Sequence, residues 1–159
     1  MWYRRAALQG DPEAQNNLGV LFATGQGVRR NDVEAIHWYR LAAGQDDPEA
    51  TSNLASMYLQ GRAVKRDLVQ AFQLFRKAAE RGYAVAQNNL ALMYANGQAV
   101  AKDYVWAYAW ADVASARISA SAHLRDRIAK EMTADEVARA RDLAARKRSE
   151  LKEKGESSK

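Results

Sequence analysis

No cysteine occurs among the 159 residues, which excludes a disulfide framework, a thiolate metal site and a thiol nucleophile and leaves burial to hold the fold. Histidine is scarce as well. His37 and His123 are the only two, too far apart in sequence to form a helical histidine pair for a metal; Glu34, three residues before His37, suits a weak surface pair. No apolar run approaches the ~18 residues of a membrane span. No glycine-rich phosphate loop, nucleophile elbow or zinc-binding histidine pair is present. These absences point away from an enzyme and from a cofactor. Proline appears twice, at Pro12 and Pro48, each time within Asp-Pro-Glu.

What the chain does contain is itself, written several times. Leu18, Leu54 and Leu90 are spaced by 36 residues, as are Gly25, Gly61 and Gly97, and Ala35, Ala71 and Ala107. A fixed period of roughly 20 to 50 residues marks a stacked repeat array, whose units each fail to bury their own apolar face. The period places a partial repeat at residues 1–10, repeats at 11–46, 47–82 and 83–116, capping helices at 117–151 and a polar tail at 152–159 that is expected to fray. Trp2-Tyr3-Arg4 matches Trp38-Tyr39-Arg40, so Met1 falls inside a repeat. A truncated start is expected from this. The chain as it stands reads as cytoplasmic, or as periplasmic or secreted if a signal peptide precedes it. The apolar edge around Trp2, Tyr3 and Ala6 is expected to self-associate.

Each unit predicts two helices. Asp11-Pro12-Glu13 and Asp47-Pro48-Glu49 supply an N-cap, a proline at the first helical position and an acid near the positive helix end. Apolar residues follow at three and four spacing, Ala14, Leu18, Leu21 and Phe22 in one copy and Ala50, Leu54, Met57 and Tyr58 in the next. Gly25, Gly61 and Gly97 suit the left-handed residue that ends such a helix. A loop valine, Val28, Val64 or Val100, is expected to turn inward. The second helix opens on Asn31, Asp67 or Asp103, with Glu34 and Gln70 placed to complete capping boxes. Its buried face reads Ala35, Trp38 and Ala42, then Ala71, Leu74 and Ala78, then Ala107, Trp110 and Ala114. Small residues there, and Gly19, Ala55 and Ala91 on the first helix, let helices approach closely.

The recurring alanine, Leu-Gly or Leu-Ala, aromatic, Gly, Val, Asp, Ala, Trp and Ala-Ala pattern over residues 2–116 resembles the Sel-one-like repeat, a branch of the tetratricopeptide superfamily. Asp46 departs from it where Gly10 and Gly82 stand, as do Ala63 and Ala99 against Gly27. The resemblance implies an all-α, right-handed superhelical solenoid of antiparallel helix pairs, closed here by a C-terminal helical cap. It implies a non-catalytic adaptor that holds an unidentified protein or peptide in a concave groove. Cysteine-rich relatives linked to β-lactam chemistry are unlike this chain, which lacks their cysteines.

After residue 116 the repeat stops. Ile118 to Met132 predicts one further helix, and Thr133 with Glu136 forms a capping box for a last one beginning at Ala134, with Val137, Ala140 and Ala144 as its apolar stripe. Trp106 and Tyr104 read as packing beneath this cap, with an exposed aromatic anchor as the alternative for them.

The net charge of +5 raises nucleic acid or an acidic membrane surface as the alternative reading, acting through Arg146-Lys147-Arg148 of the last helix. Its distribution argues against this. Residues 1–123 hold 13 basic and 11 acidic side chains, and residues 124–159 hold 11 and 8, so neither part is a basic stripe. In arrays of the resembling type the first helix of each pair lines the groove. The candidate binding residues are therefore Asn16, Asn17 and Val20, then Ser52, Asn53 and Ser56, then Asn88, Asn89 and Leu92. Asparagine offers a donor and an acceptor to a peptide backbone. The competing use for these amides is architectural, bonding across to the next repeat or to the interhelix loop.

Overall fold

The computed structural model describes the backbone from Trp2 to Ser157 and the side chains of residues 4–156. All secondary structure among the described residues is helical. The first helices of successive pairs are α2 (Pro12–Thr24), α4 (Pro48–Gln60) and α6 (Ala84–Asn96); the second helices are α1 (Trp2–Leu8), α3 (Asp32–Gly44), α5 (Leu68–Ala79) and α7 (Tyr104–Ala114). Two more follow, α8 (Ser119–Ala129) and α9 (Ala134–Ser157). The chain divides into two compact units, residues 1–74 and 75–159, with the division inside α5.

The period of 36 is visible bond by bond. Asp11 and Asp47 cap their helices by accepting from Ala14 N at 2.7 Å and Ala50 N at 2.6 Å. Tyr83 stands before α6 without a side-chain cap. At the other end Gly25, Gly61 and Gly97 take φ of 77, 68 and 65°, the left-handed turn that only glycine enters cheaply. The loop is then pinned by one recurring bond: the N–H of Asn31, Asp67 or Asp103 donates to Phe22 O, Tyr58 O or Tyr94 O at 2.9, 3.0 and 3.0 Å. Val28, Val64 and Val100 are half-buried in these loops. Asp46, Ala63 and Ala99 hold φ of 66, 53 and 65°. The repeat therefore imposes a left-handed backbone even where glycine has been replaced, at a local steric cost.

In the first unit the core joins Ala35, Ile36, Tyr39 and Ala42 of α3 to Ala50, Leu54 and Met57 of α4, and a second cluster joins Ala7, Ala14, Leu18 and Trp38. Leu21 and Phe22 are only half-buried at its edge. In the second unit Phe75, Leu90, Met93 and Trp110 are buried, and α9 closes on α7 through Ala144, Ala109 and Val113. Two expectations need correction. On α5 the most deeply buried large side chain is Phe75, while Leu74 packs against the α3–α4 cluster only half-buried, so Leu74 is less central than expected. The segment from Lys152, expected to fray, continues α9 as helix to Ser157. Leu151, Lys152, Glu153 and Lys154 are all good helix formers, and Lys147–Glu150 adds an ion pair at 2.8 Å in the preceding turn.

Capping is simpler than the sequence predicts in the middle of the array. Asn31 and Asp67 accept from Glu34 N and Gln70 N at 3.2 and 2.9 Å, while the reciprocal arm from Glu34 or Gln70 is not formed. Thr133 and Glu136 make both arms, at 2.7 and 3.3 Å. The edge around Trp2 and Tyr3 lies outside the described side chains; Ala6 is half-buried against the α1–α2 cluster, and Leu8 is exposed.

Candidate functional site

The candidate residues sit on the first helices, and in each unit one side-chain hydrogen bond to an asparagine oxygen ties a first helix to a later helix. In the first unit Asn16 is 3% exposed and its Oδ1 accepts from Asn53 Nδ2 at 2.9 Å, joining α2 to α4. In the second unit Asn88 Oδ1 accepts from Ser121 Oγ at 2.7 Å, joining α6 to α8. Asn88 is Asn16 moved on by two repeats, so α8 occupies the place of a first helix although its sequence has left the repeat. Ser121 is fully buried. Sequence reading missed it because the bond spans 33 residues there against 37 between Asn16 and Asn53.

The remaining candidates divide by exposure. Ser52 is buried, and Ser56, half-buried, donates to Ser52 O at 3.1 Å within the same helix. Val20 and Leu92 are half-buried. Asn17 and Asn89 are half-buried too, and their side chains make no hydrogen bond among the described residues. Gln15 and Gln87, which the sequence did not single out, are buried and donate to Ala7 O and Ala79 O at 3.1 Å, tying each first helix to the end of the preceding second helix. They stand two repeats apart, with Thr51 at the intervening copy, which weakened the periodic signal of that role.

Charge is nearly absent from these helices. α2, α4 and α6, 13 residues each, carry only Glu13 and Glu49, both in a first turn. The polybasic run of α9 is partly committed inside the protein. Arg148 reaches Asp112 at 2.6 Å; Lys147 pairs with Glu150 and stands 5.8 and 5.9 Å from the ring centroids of Trp106 and Trp110. Trp106 is half-buried, with Tyr94 stacked on it at 5.8 Å. In the first unit Asp32 is gripped by Arg62 (Nε at 3.0 Å) and by Arg30 at 3.1 Å, and Arg62 also donates to Ala23 O at 2.9 Å. Hydrogen bonds from Arg62 and then Arg30 hold the Asp32 carboxyl well below the usual carboxylate range. His37 is exposed and edge-on to Trp38 at 5.3 Å. Among the described residues no group of three or more His, Asp and Glu side chains could hold a metal ion, and no helix is long and apolar enough to cross a membrane.

A helix-pair repeat of this geometry has counterparts. The family model of the Sel1 repeat matches residues 1–11, 12–47, 48–83 and 84–117. The chain belongs to the Sel1-repeat family. Its fold is accordingly that of an all-α repeat solenoid, and proteins of this family generally serve as protein-interaction scaffolds. The solved structure of a protective antigen from uropathogenic Escherichia coli strains, displaying an SLR fold, is similar at 31% identity and a TM-score of 0.70 over 94% of this chain. This chain spans 40% of that protein's length. A Sel1 repeat protein from Oxalobacter formigenes is 38% identical with a TM-score of 0.68, covering 78% of this chain and 95% of its own. No curated protein matches the chain.

Proposed function

We propose that this Sel1-repeat protein is a non-catalytic adaptor that holds an uncharged stretch of a protein partner against the first helices of its pairs. The observation that carries the reading is the neutrality of α2, α4 and α6, whose only charges are Glu13 and Glu49 in a chain that is 27% charged. A face of amides, hydroxyls and small apolar side chains can satisfy a peptide backbone, yet offers no positive charge to neutralise a phosphate. Asn17 in the first unit and Asn89 in the second have side-chain donors and acceptors to spare, whereas Asn16, Asn53 and Asn88 spend part of theirs inside the protein. Ser52, Ser56, Val20 and Leu92 line or support these faces. Nucleic acid is the poorer reading, because the basic residues of α9 alternate with Asp142, Glu150 and Glu153 instead of forming a stripe.

The test uses the full chain to capture a partner and then measures its affinity by titration. Asn17→Ala and Asn89→Ala should each weaken binding by about 0.5 to 1.5 kcal/mol, the net worth of a neutral hydrogen bond, with the helical content unchanged. Raising salt from 50 to 200 mM should change affinity little, whereas phosphate contacts would each add a slope of about 0.7 to 0.9 in log affinity against log salt. A partner that binds both asparagine variants as tightly as the parent, and is released by salt or by Arg146→Gln, would overturn the adaptor reading.

A further inference from the structure

A cleft of about 480 Å³ opens between α7, α8 and α9 in the second unit, and its charges do not cancel. Asp112 of α7 accepts from Arg125 Nη1 at 3.0 Å and from Arg148 Nη2 at 2.6 Å. Arg125 also donates through Nε and Nη2 to Asp126, at 2.9 and 2.8 Å, so that guanidinium is paired with two carboxylates. Arg141 has no such partner. Its one hydrogen bond runs from Nε to the Tyr108 hydroxyl at 3.4 Å, too long to count for much. Three guanidiniums therefore face two carboxylates, leaving one positive charge over. Arg148 uses a single nitrogen on Asp112 and is half exposed.

We propose that this cleft binds the carboxylate of a peptide, with Arg141 as its principal donor and Arg148 as the second. A planar guanidinium matches a carboxylate in a two-bond fork. A single negative charge neutralises the excess, whereas a phosphate dianion would overcompensate it and face Asp112 and Asp126 at close range. Ala129 and Val137 also line the cleft and offer apolar wall to the carbon stem behind the carboxylate. The volume exceeds what a lone acetate fills and lies within the range of small-ligand clefts.

The full-length protein labelled with nitrogen-15 reports directly, through the Nε–H resonances of its arginine side chains. The probes, at constant ionic strength and neutral pH, are acetyl-Gly-Gly-Ala with a free carboxylate, the same peptide amidated, acetyl-aspartate amide and inorganic phosphate. At least one carboxylate probe should give saturable shifts at Arg141 and Arg148, and the tighter of the two names the source as chain end or side chain. The uncharged peptide should give none. Arg141→Gln should weaken binding about tenfold or more, the loss of a charge-assisted contact, while Arg139→Gln, exposed on the same helix, should leave it unchanged. Equal shifts with the amidated peptide, parent-like binding by Arg141→Gln, or tighter binding of phosphate than of either carboxylate would each overturn the assignment.

Discussion

Replacing Gly19 with alanine adds one methyl group where α2 packs closely on α3. A Cβ there would lie 2.6 and 2.7 Å from Cε1 and Cδ1 of Tyr39 and 3.3 Å from the Ala35 carbonyl oxygen. Carbon atoms pack at about 3.5 to 4.0 Å, so the ring must retreat by about 1 Å. It has nowhere to go: Tyr39 is 4% exposed and sits within the cluster of Ile36, Leu54 and Met57. Overpacking of this kind costs about 1 to 3 kcal/mol, while alanine gains about 0.8 to 1.0 over glycine in a helix interior. The overpacking term is the larger, and Gly19→Ala should lose up to about 2 kcal/mol. Gly44, the last residue of α3, is the control: a Cβ there meets nothing within 4 Å. Gly44→Ala should gain up to about 1 kcal/mol. Urea denaturation followed by circular dichroism reads both midpoints and slopes. If Gly19→Ala proves as stable as Gly44→Ala, the close crossing is not what Gly19 provides.

Asn53→Ala strands the nearly buried oxygen of Asn16 and should destabilise by about 1 to 3 kcal/mol; a double-mutant cycle with Asn16→Ala should show coupling of about 0.5 kcal/mol or more, and additivity would remove the bond from the account. Because Asp32 titrates well below its ordinary range, its ion pairs contribute stability that is complete above the unfolded carboxyl pKa and lost as pH falls toward the folded one. The stability gap between the parent and Asp32→Asn should therefore be constant above about pH 5 and shrink below about pH 4, as read by urea midpoints across pH; a gap unchanged at low pH would refute this. Ala63→Gly relieves a left-handed alanine at φ 53° and should raise the stability by about 0.5 to 1 kcal/mol after the unfolded-state entropy of glycine is subtracted, while a loss would mean the alanine methyl is packed.

Much of the candidate surface was readable residue by residue, but its use was not. The spacing of Asn17, Asn53 and Asn89 marked one recurring position; it did not say that Asn53 turns to Asn16 while Asn17 keeps its side chain unbonded. Ser121 lay beyond the repeat and carried no periodic signal at all. The neutral first helices could have been found by counting charge helix by helix, since the two acids Glu13 and Glu49 stand out once the boundaries are known.

The amino-acid order alone determined the period, the helix starts at Asp11, Asp47 and Asp103, the left-handed stops at Gly25, Gly61 and Gly97, and hence the helix-pair architecture. Those signals act within a turn or two of backbone, where a cap or a positive φ has the same energy wherever the segment ends up. The tertiary structure decided which polar atoms meet. The Asn16–Asn53 and Asn88–Ser121 bonds, the Arg62 grip on Asp32 and the uncompensated charge of Arg141 join residues some 30 to 40 apart. Their pairing depends on helix phase and on stacking distances of a few ångströms, which a pattern of residue types leaves undetermined.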